Sequence, residues 1–299
     1  MVENVLITEA GGDPSAGYES KPTLDLVELM NTIDATVPSA VAAAAPAIAE
    51  AIDATAANLR AGGRLVYVGA GSSGRIAALD ASECEATFST PPGMVVALVA
   101  GGESAPALVQ AAAEDDRDTG AAAVEALSIG ATDAVVGISA SGSTPYVLGA
   151  LNAAAAAGAL TTCVVSTPGS KLGSIVAHEI LVVVGPEFIA GSTRLKAGTA
   201  QKLVLNTIST ISMIRLGKTY GNLMVDVAAA NEKLQERVRR IVASASGATG
   251  TDVDDAIVDA DGDARVAIVM LLARVDPQEA RRRLDESDRS IAQALEATS

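Results

Sequence analysis

Five short, β-branched apolar runs, each followed by a stretch of helical character, constrain this chain more than any other feature. They are Leu65–Val68, Met94–Val99, Ala134–Ile138, Thr161–Val165 and Ile180–Val184. The apolar residues in each run are near-continuous, not alternating, as expected of strands covered on both faces. Strands alternating with helices predict an α/β fold: a doubly wound, parallel, five-stranded sheet with right-handed crossovers.

The flanks differ in character. Residues 1–22 are polar, with Gly11-Gly12, Pro14 and Gly17, and read as an arm. Thr23 is placed as an N-cap, and an alanine-rich helix is expected from Val37 to Leu59. Beyond the fifth run, Ser192 is placed to cap a long helix reaching Leu216, with Val204, Ile208 and Ile211 on one face; Gly217 and Gly221 interrupt the pattern. The tail from Glu232 is charged and helical, and Asp276-Pro277 reads as an N-cap with proline at the first helical position. The expected organisation is an arm with helices over 1–55, the sheet domain over 56–220, and a small helical bundle over 221–299.

Charge and composition remove several function classes. A formal charge of −15 repels nucleic acid and anionic membranes. A small anionic metabolite is compatible with that field where local backbone dipoles outweigh it. Aromatic residues supply only 2% of the chain, so its helices must pack through alanine and glycine. Cys84 and Cys163 show neither metal-ligand spacing nor a disulfide framework. The N-terminus lacks the basic start and apolar run of a secretory signal, and no apolar stretch has bilayer-spanning length. A soluble, cytoplasmic protein is expected. His178 is the only histidine. That argues against a Ser-His-Asp triad or a multi-histidine metal site and leaves carboxylates as the natural proton carriers.

Two glycine- and hydroxyl-rich loops carry the binding chemistry. Gly69-Ala-Gly-Ser-Ser-Gly-Arg75 follows the first strand and opens a helix, matching the G-x-G-x-x-G pattern of dinucleotide folds. Such folds hold the ribose with an acid at the end of the second strand, where this chain has Ala100-Gly101-Gly102 and only later Glu103. Ser72 and Ser73 suit a terminal phosphate better than a bridging pyrophosphate. Ser139-Ala-Ser-Gly-Ser-Thr-Pro145 follows the third strand. Ser143 or Thr144 is placed as N-cap, and the free amides of the helix start form an anion site without any lysine. Both loops sit at the carboxyl ends of parallel strands, where open α/β sheets bind ligands. The plainer alternative is that these serines, Ser141 among them, only cap helices and shape turns. Arg194 and Lys196, beside Ser192, fall in a predicted first helical turn. There a cation opposes the dipole by ~0.3–1 kcal/mol unless an anion lies close; solvated basic side chains are the alternative.

Carboxylates fall in two clusters, Asp80-Ala-Ser-Glu83-Cys-Glu85 and Glu114-Asp-Asp-Arg-Asp118. The first closes the helix that opens at the first loop. The second reads from pattern as a solvated helix end. His178 reads as structural. Spacing alone pairs none of them.

Taken together, Gly69–Arg75, Asp80–Cys84, Ala113–Asp115, Ser141–Val147, Gly191–Asn206 and Gly221–Val227 resemble the N-acetylmuramic acid 6-phosphate etherases, in unbroken order from Ile7-Thr-Glu9 to the helical tail. Single motifs are shared with other sugar-isomerase (SIS) domains and the glucokinase regulatory protein. The resemblance implies an SIS fold, a homodimer, and conversion of a phosphorylated muramic sugar to N-acetylglucosamine 6-phosphate and D-lactate. It implies Glu83 as proton donor to departing lactate and Glu114 as the second catalytic carboxylate, with no metal or organic cofactor. Ser72, Ser73, Ser139, Ser141, Ser143, Thr144 and Ser192 are the candidate substrate-binding residues. This chain departs from the family's pattern twice. Ser143 stands where a basic residue is usual, so Arg75 or Arg194 must supply that contact if anything does. Glu85-Ala86 stand where prolines usually follow Ser-Glu-Cys. Two other functions fit the same fold: a non-catalytic sugar-phosphate sensor and an aldose–ketose isomerase.

Overall fold

The computed structural model describes residues 17–102, 107–226 and 232–296. The Ile7-Thr-Glu9 arm, Glu103 and the Val227 end of the last motif lie outside them. The described residues form two compact units. The first joins the residues up to Ser82 with Gly93–Ser209; the second joins Glu83–Pro92 with the residues from Thr210 onward.

Along the chain, α1 (Thr23–Asp34), α2 (Val37–Ala43) and α3 (Ala45–Arg60) precede β1 (Leu65–Gly69) and α4 (Gly71–Phe88), whose residues from Glu83 on belong to the second unit. Then come β2 (Val95–Val99), α5 (Ala107–Glu114), α6 (Arg117–Ala126), β3 (Ala134–Ile138), α7 (Pro145–Ala156), β4 (Leu160–Val165), β5 (His178–Leu181) and α8 (Lys196–Arg215), which passes into the second unit at Thr210. The five strands form one parallel sheet in the order β2-β1-β3-β4-β5. The chain therefore winds outward in both directions from the gap between β1 and β3. The expected α/β architecture is the one observed. β1 and β3 are buried throughout, whereas the edge strands β2 and β5 are mostly half-buried.

Three local expectations are corrected. Thr23 is the first residue of α1 and Pro22 its N-cap. The Val37–Leu59 segment is two helices broken at Ala44, because Pro46 in the first turn of α3 has no N–H to continue the ladder. The fifth strand starts at His178 and its ladder ends at Leu181, two residues before the apolar run begins and three before it ends.

Alternation across β1 sorts its side chains. Val66 and Val68 join Val135, Val147, Leu151 and Cys163 in the core under α7. Tyr67 points to the opposite face, where its hydroxyl donates to buried Asp80 of α4 at 2.8 Å. Asn206 and Ser209 of α8 donate to the same carboxylate. Helix α7 approaches β3 closely because Gly137 has no side chain: a Cβ there would stand 2.6 Å from Leu151 Cδ1.

At the opposite, amino end of the sheet, Asp133 ties β1 to β3. Its carboxylate accepts from Arg64 N at 2.9 Å, Arg64 Nε at 3.0 Å and Gly130 N at 2.9 Å. The Arg64 guanidinium holds the Asp133 carboxyl below its ordinary range. A depressed folded pKa stabilises above the unfolded pKa, and that stabilisation is lost as pH falls through the folded value. Asp133→Ala is expected to cost about 1.5–3 kcal/mol at neutral pH, and less in acid, in chemical denaturation.

In the second unit, the antiparallel pair β6 (Thr219–Tyr220) and β7 (Leu223–Met224) precedes α9 (Glu232–Ser246), α10 (Thr251–Asp259), α11 (Ala264–Ala273), α12 (Pro277–Glu286) and α13 (Ile291–Glu296). Val242, Val253, Ile268, Leu284 and Ile291 form its core. Asp276 caps α12 as expected, accepting from Glu279 N at 2.8 Å. No single described helix is long and apolar enough to cross a membrane; one bent pair, Thr23–Ala43 with Ala45–Arg60, passes by length and composition only.

Candidate functional site

The loops after β1 and β3 leave the sheet at the point where its strand order reverses, which opens a crevice at their carboxyl ends. A cavity of about 220 Å³ lies there, lined by Gly71, Ser72 and Ser73 from the first loop and by Ser139, Ser141 and Thr144 from the second. Five of the seven expected binding residues thus share one cavity with Thr144 included, and Glu114 lines it too.

Close backbone packing shapes the first loop. Gly69 and Gly74 face each other: a Cβ on Gly69 would stand 2.8 Å from Gly74 N, and one on Gly74 would meet Gly69 O at the same distance. Gly71 takes φ +52°, and a Cβ there would lie 3.9 Å from Glu114 Oε2. The first turn of α4 therefore presents its backbone to the cavity, with Glu114 as neighbour. Arg75 is exposed and donates to Ser72 Oγ at 3.2 Å.

The second loop is held by its own hydroxyls. Ser139 Oγ accepts from Gly142 N at 3.1 Å and lies 2.8 Å from Thr144 Oγ1. Ser141 Oγ accepts from Ser143 N at 3.2 Å and Ser143 Oγ at 3.0 Å. Thr144 is the N-cap of α7 with Pro145 following, but its side chain makes no cap bond. It hydrogen-bonds Glu114 instead. A hydroxyl has one proton, so Thr144 donating to a carboxylate must accept from Ser139.

Glu114 corrects the pattern reading of its cluster. It ends α5, half-buried, with its carboxylate in the cavity, whereas Asp116 and Asp118 are exposed. Asp116 instead caps α6, accepting from Thr119 N at 2.9 Å. Burial first and the Asp115 charge second raise the Glu114 pKa, and the Thr144 hydrogen bond opposes them. A carboxyl so tuned exchanges a proton nearer neutrality than an ordinary glutamate.

Other expected residues fall elsewhere. Ser143 touches the cavity only through Ser141. Ser192 does not line it, but its neighbour Thr193 does, a residue the loop patterns did not single out. Ser192 is also not a helix cap. Helix α8 starts at Lys196, and its first amides are taken by buried Glu187, which accepts from Lys196 N at 2.8 Å and Ala197 N at 3.0 Å. Lys196 is buried and donates to Val184 O at 2.6 Å, so it is no free cation at an anion site. Arg194 is exposed. Glu83 lies within α4, which continues to Phe88 instead of closing at Glu85; its side chain is exposed and it belongs to the second unit.

Comparison with known proteins extends this picture. Residues 47–155 match the model of the glucokinase regulatory protein N-terminal SIS domain. A phosphoheptose isomerase from Francisella tularensis shares the fold at TM-score 0.50, with 21% identity over 65% of this chain and 100% of that one. Named N-acetylmuramic acid 6-phosphate etherases are far closer in sequence. The Streptomyces coelicolor protein is 53% identical over 98% of this chain and 94% of its own length. The Serratia proteamaculans protein is 48% identical over 97% and 98%. With the Rubrobacter xylanophilus protein 56% identical over 93% of both chains, this chain belongs to the N-acetylmuramic acid 6-phosphate etherase family.

Proposed function

We propose that the chain cleaves the D-lactyl ether of N-acetylmuramic acid 6-phosphate, giving N-acetylglucosamine 6-phosphate and D-lactate in cell-wall sugar recycling. It does so as a cytoplasmic homodimer. The observation that carries this reading is the cavity in which Glu114, its pKa raised by burial, meets two hydroxyl-bearing loops at the sheet's switch point. Ser72, Ser73 and Ser141, with the amides at the starts of α4 and α7, bind the phosphate, while Ser139 and Thr144, whose protons are committed to Thr144 and Glu114 in turn, form its wall. Ser143 supports Ser141, Thr193 adds a hydroxyl, and Ser192 lies beside it in sequence. A volume of about 220 Å³ is below the ~300 Å³ at which pockets begin to enclose whole ligands. The cavity therefore takes the phosphate end and leaves the sugar's reacting carbons at its mouth.

In the open-chain aldehyde the carbonyl acidifies the C2 proton, and lactate at C3 is a β-leaving group. Glu114 takes the C2 proton. The electron pair forms the C2–C3 double bond as the C3–O bond breaks, and Glu83 gives its proton to the departing lactate oxygen. Water then adds at C3 and a proton returns to C2, so the net change is addition of one water across the ether. The carboxylates and the substrate carbonyl suffice for each step, so no metal or organic cofactor is required. Exposed Leu24, Val27 and Leu79 offer apolar surface for a second copy to cover.

Chelator-treated protein is expected to release D-lactate from the phosphorylated muramic sugar. Background lactate from folded protein would reject the reading, and ketose formation without lactate would favour the isomerase. Glu83→Gln is expected to lose turnover by about 10²–10⁴-fold while still exchanging the C2 proton with solvent. Near-normal turnover would remove Glu83 from the mechanism.

A further inference from the structure

A second cavity, a groove of about 350 Å³, lies wholly within the second unit. One wall is a face of α9 carrying Arg237, Arg240, Ile241 and Ser244, whose i, i+3, i+4, i+7 spacing puts them on one side of the helix. The β6–β7 hairpin supplies the rest, with Asn222 in its turn and Leu223 and Met224 behind it.

The charge pattern sets this face apart. Arg239, on the same helix, reaches Asp254 at 2.6 Å and Glu236 at 3.4 Å. Arg265, Arg281, Arg282, Arg283 and Arg289 of this unit each pair with a carboxylate. Among the described residues Arg237 and Arg240 have no such partner, in a chain whose acids outnumber its bases by 36 to 21; Arg274, also without one, stands at the C-cap of α11, where the helix dipole favours a cation. Two like charges one turn apart repel. The helix dipole does not explain them either, because cations favour the last turn of a helix and that turn of α9 has none.

We propose that this groove is a second anion site, taking a small phosphorylated sugar. Each planar guanidinium can donate two parallel hydrogen bonds to two oxygens of a phosphate, and the groove is lined by two of them. The Asn222 amide and Ser244 hydroxyl are partners for sugar hydroxyls, and Leu223, Met224 and Ile241 offer an apolar surface to a ring face. The overall negative charge excludes a polyanionic macromolecule and leaves a small ligand that two arginines can neutralise locally.

The test is a calorimetric titration of the full chain with N-acetylglucosamine 6-phosphate, with unphosphorylated N-acetylglucosamine as control. Two binding events per chain are expected, and one in Arg237→Ala/Arg240→Ala, with turnover at saturating substrate unchanged within about twofold. Arg240→Gln alone, a milder change on an exposed face, is expected to weaken the second event by tenfold or more. A single event in the unaltered chain, or a second event that survives the double substitution or accepts the uncharged sugar equally, overturns the proposal. Because neither arginine belongs to the etherase site, absence of lactate release would leave this event in place and count only against the etherase reading.

Discussion

Replacing Glu114 by glutamine is expected to lower kcat by about 10²–10⁴-fold and to abolish solvent exchange at C2, the range usual for loss of a positioned proton-transfer group. Glutamine keeps the shape and accepts the Thr144 hydrogen bond, so the cavity loses a base and little else. The two glutamate variants then separate by isotope: exchange persists in Glu83→Gln and disappears in Glu114→Gln. Equal exchange in both would move the C2 proton to another group.

The same carboxyl sets an expected pH dependence. Glu114 acts as a base only when ionised, and burial with the neighbouring Asp115 charge raises its pKa. The acid limb of kcat/KM should therefore lie above the ordinary glutamate range. Stability runs the other way. A folded pKa above the unfolded one favours the fold at pH below the unfolded value, and this contribution is lost as pH rises through the folded value. Glu114→Gln is accordingly expected to be as stable as the parent at neutral pH, or more so. A residue kept at a cost to stability, whose loss removes activity, is under functional constraint.

What could be read from the sequence follows from how local each signal is. The phosphate loops were legible because glycine, serine and proline act within a few residues of themselves, and five of the expected hydroxyl residues do line one cavity. Glu114 was hidden by its company. Asp115, Asp116 and Asp118 make the run look solvated, and only the closure of α5 against the second loop turns its first member inward. The start of α8 was misread for the opposite reason. Its cap comes from Glu187, nine residues before Lys196, beyond the reach of any local capping rule. The break at Ala44 was missed because alanine periodicity runs straight through it, although Pro46 lacks the N–H that a continuous helix would use there. The small hairpin β6–β7, two residues per strand, leaves no periodic trace.

Gly149→Ala should be among the most damaging substitutions in the first unit. Helices α6 and α7 touch backbone to backbone: a Cβ on Gly149 would stand 1.9 Å from Arg117 O, and one on Gly120 would stand 2.0 Å from Tyr146 O. Neither obstacle is a flexible side chain, so one helix must move. Overpacking costs 1–3 kcal/mol, and with backbone on the far side about 3 kcal/mol or more is expected. That corresponds to roughly 6–12 °C at ~2–4 °C per kcal/mol in thermal denaturation. Gly130→Ala is the control, since nothing lies within 4 Å of its added Cβ, and its effect should stay within ~1 kcal/mol. Catalysis is tied to the same contact. Glu114 lies three residues before α6, and Thr144 is the N-cap of α7. Separating the helices pulls the base from its hydrogen-bond partner. Folded Gly149→Ala protein is therefore expected to lose turnover as well as stability. Full activity at reduced stability would show that the helix pair holds the fold without positioning Glu114.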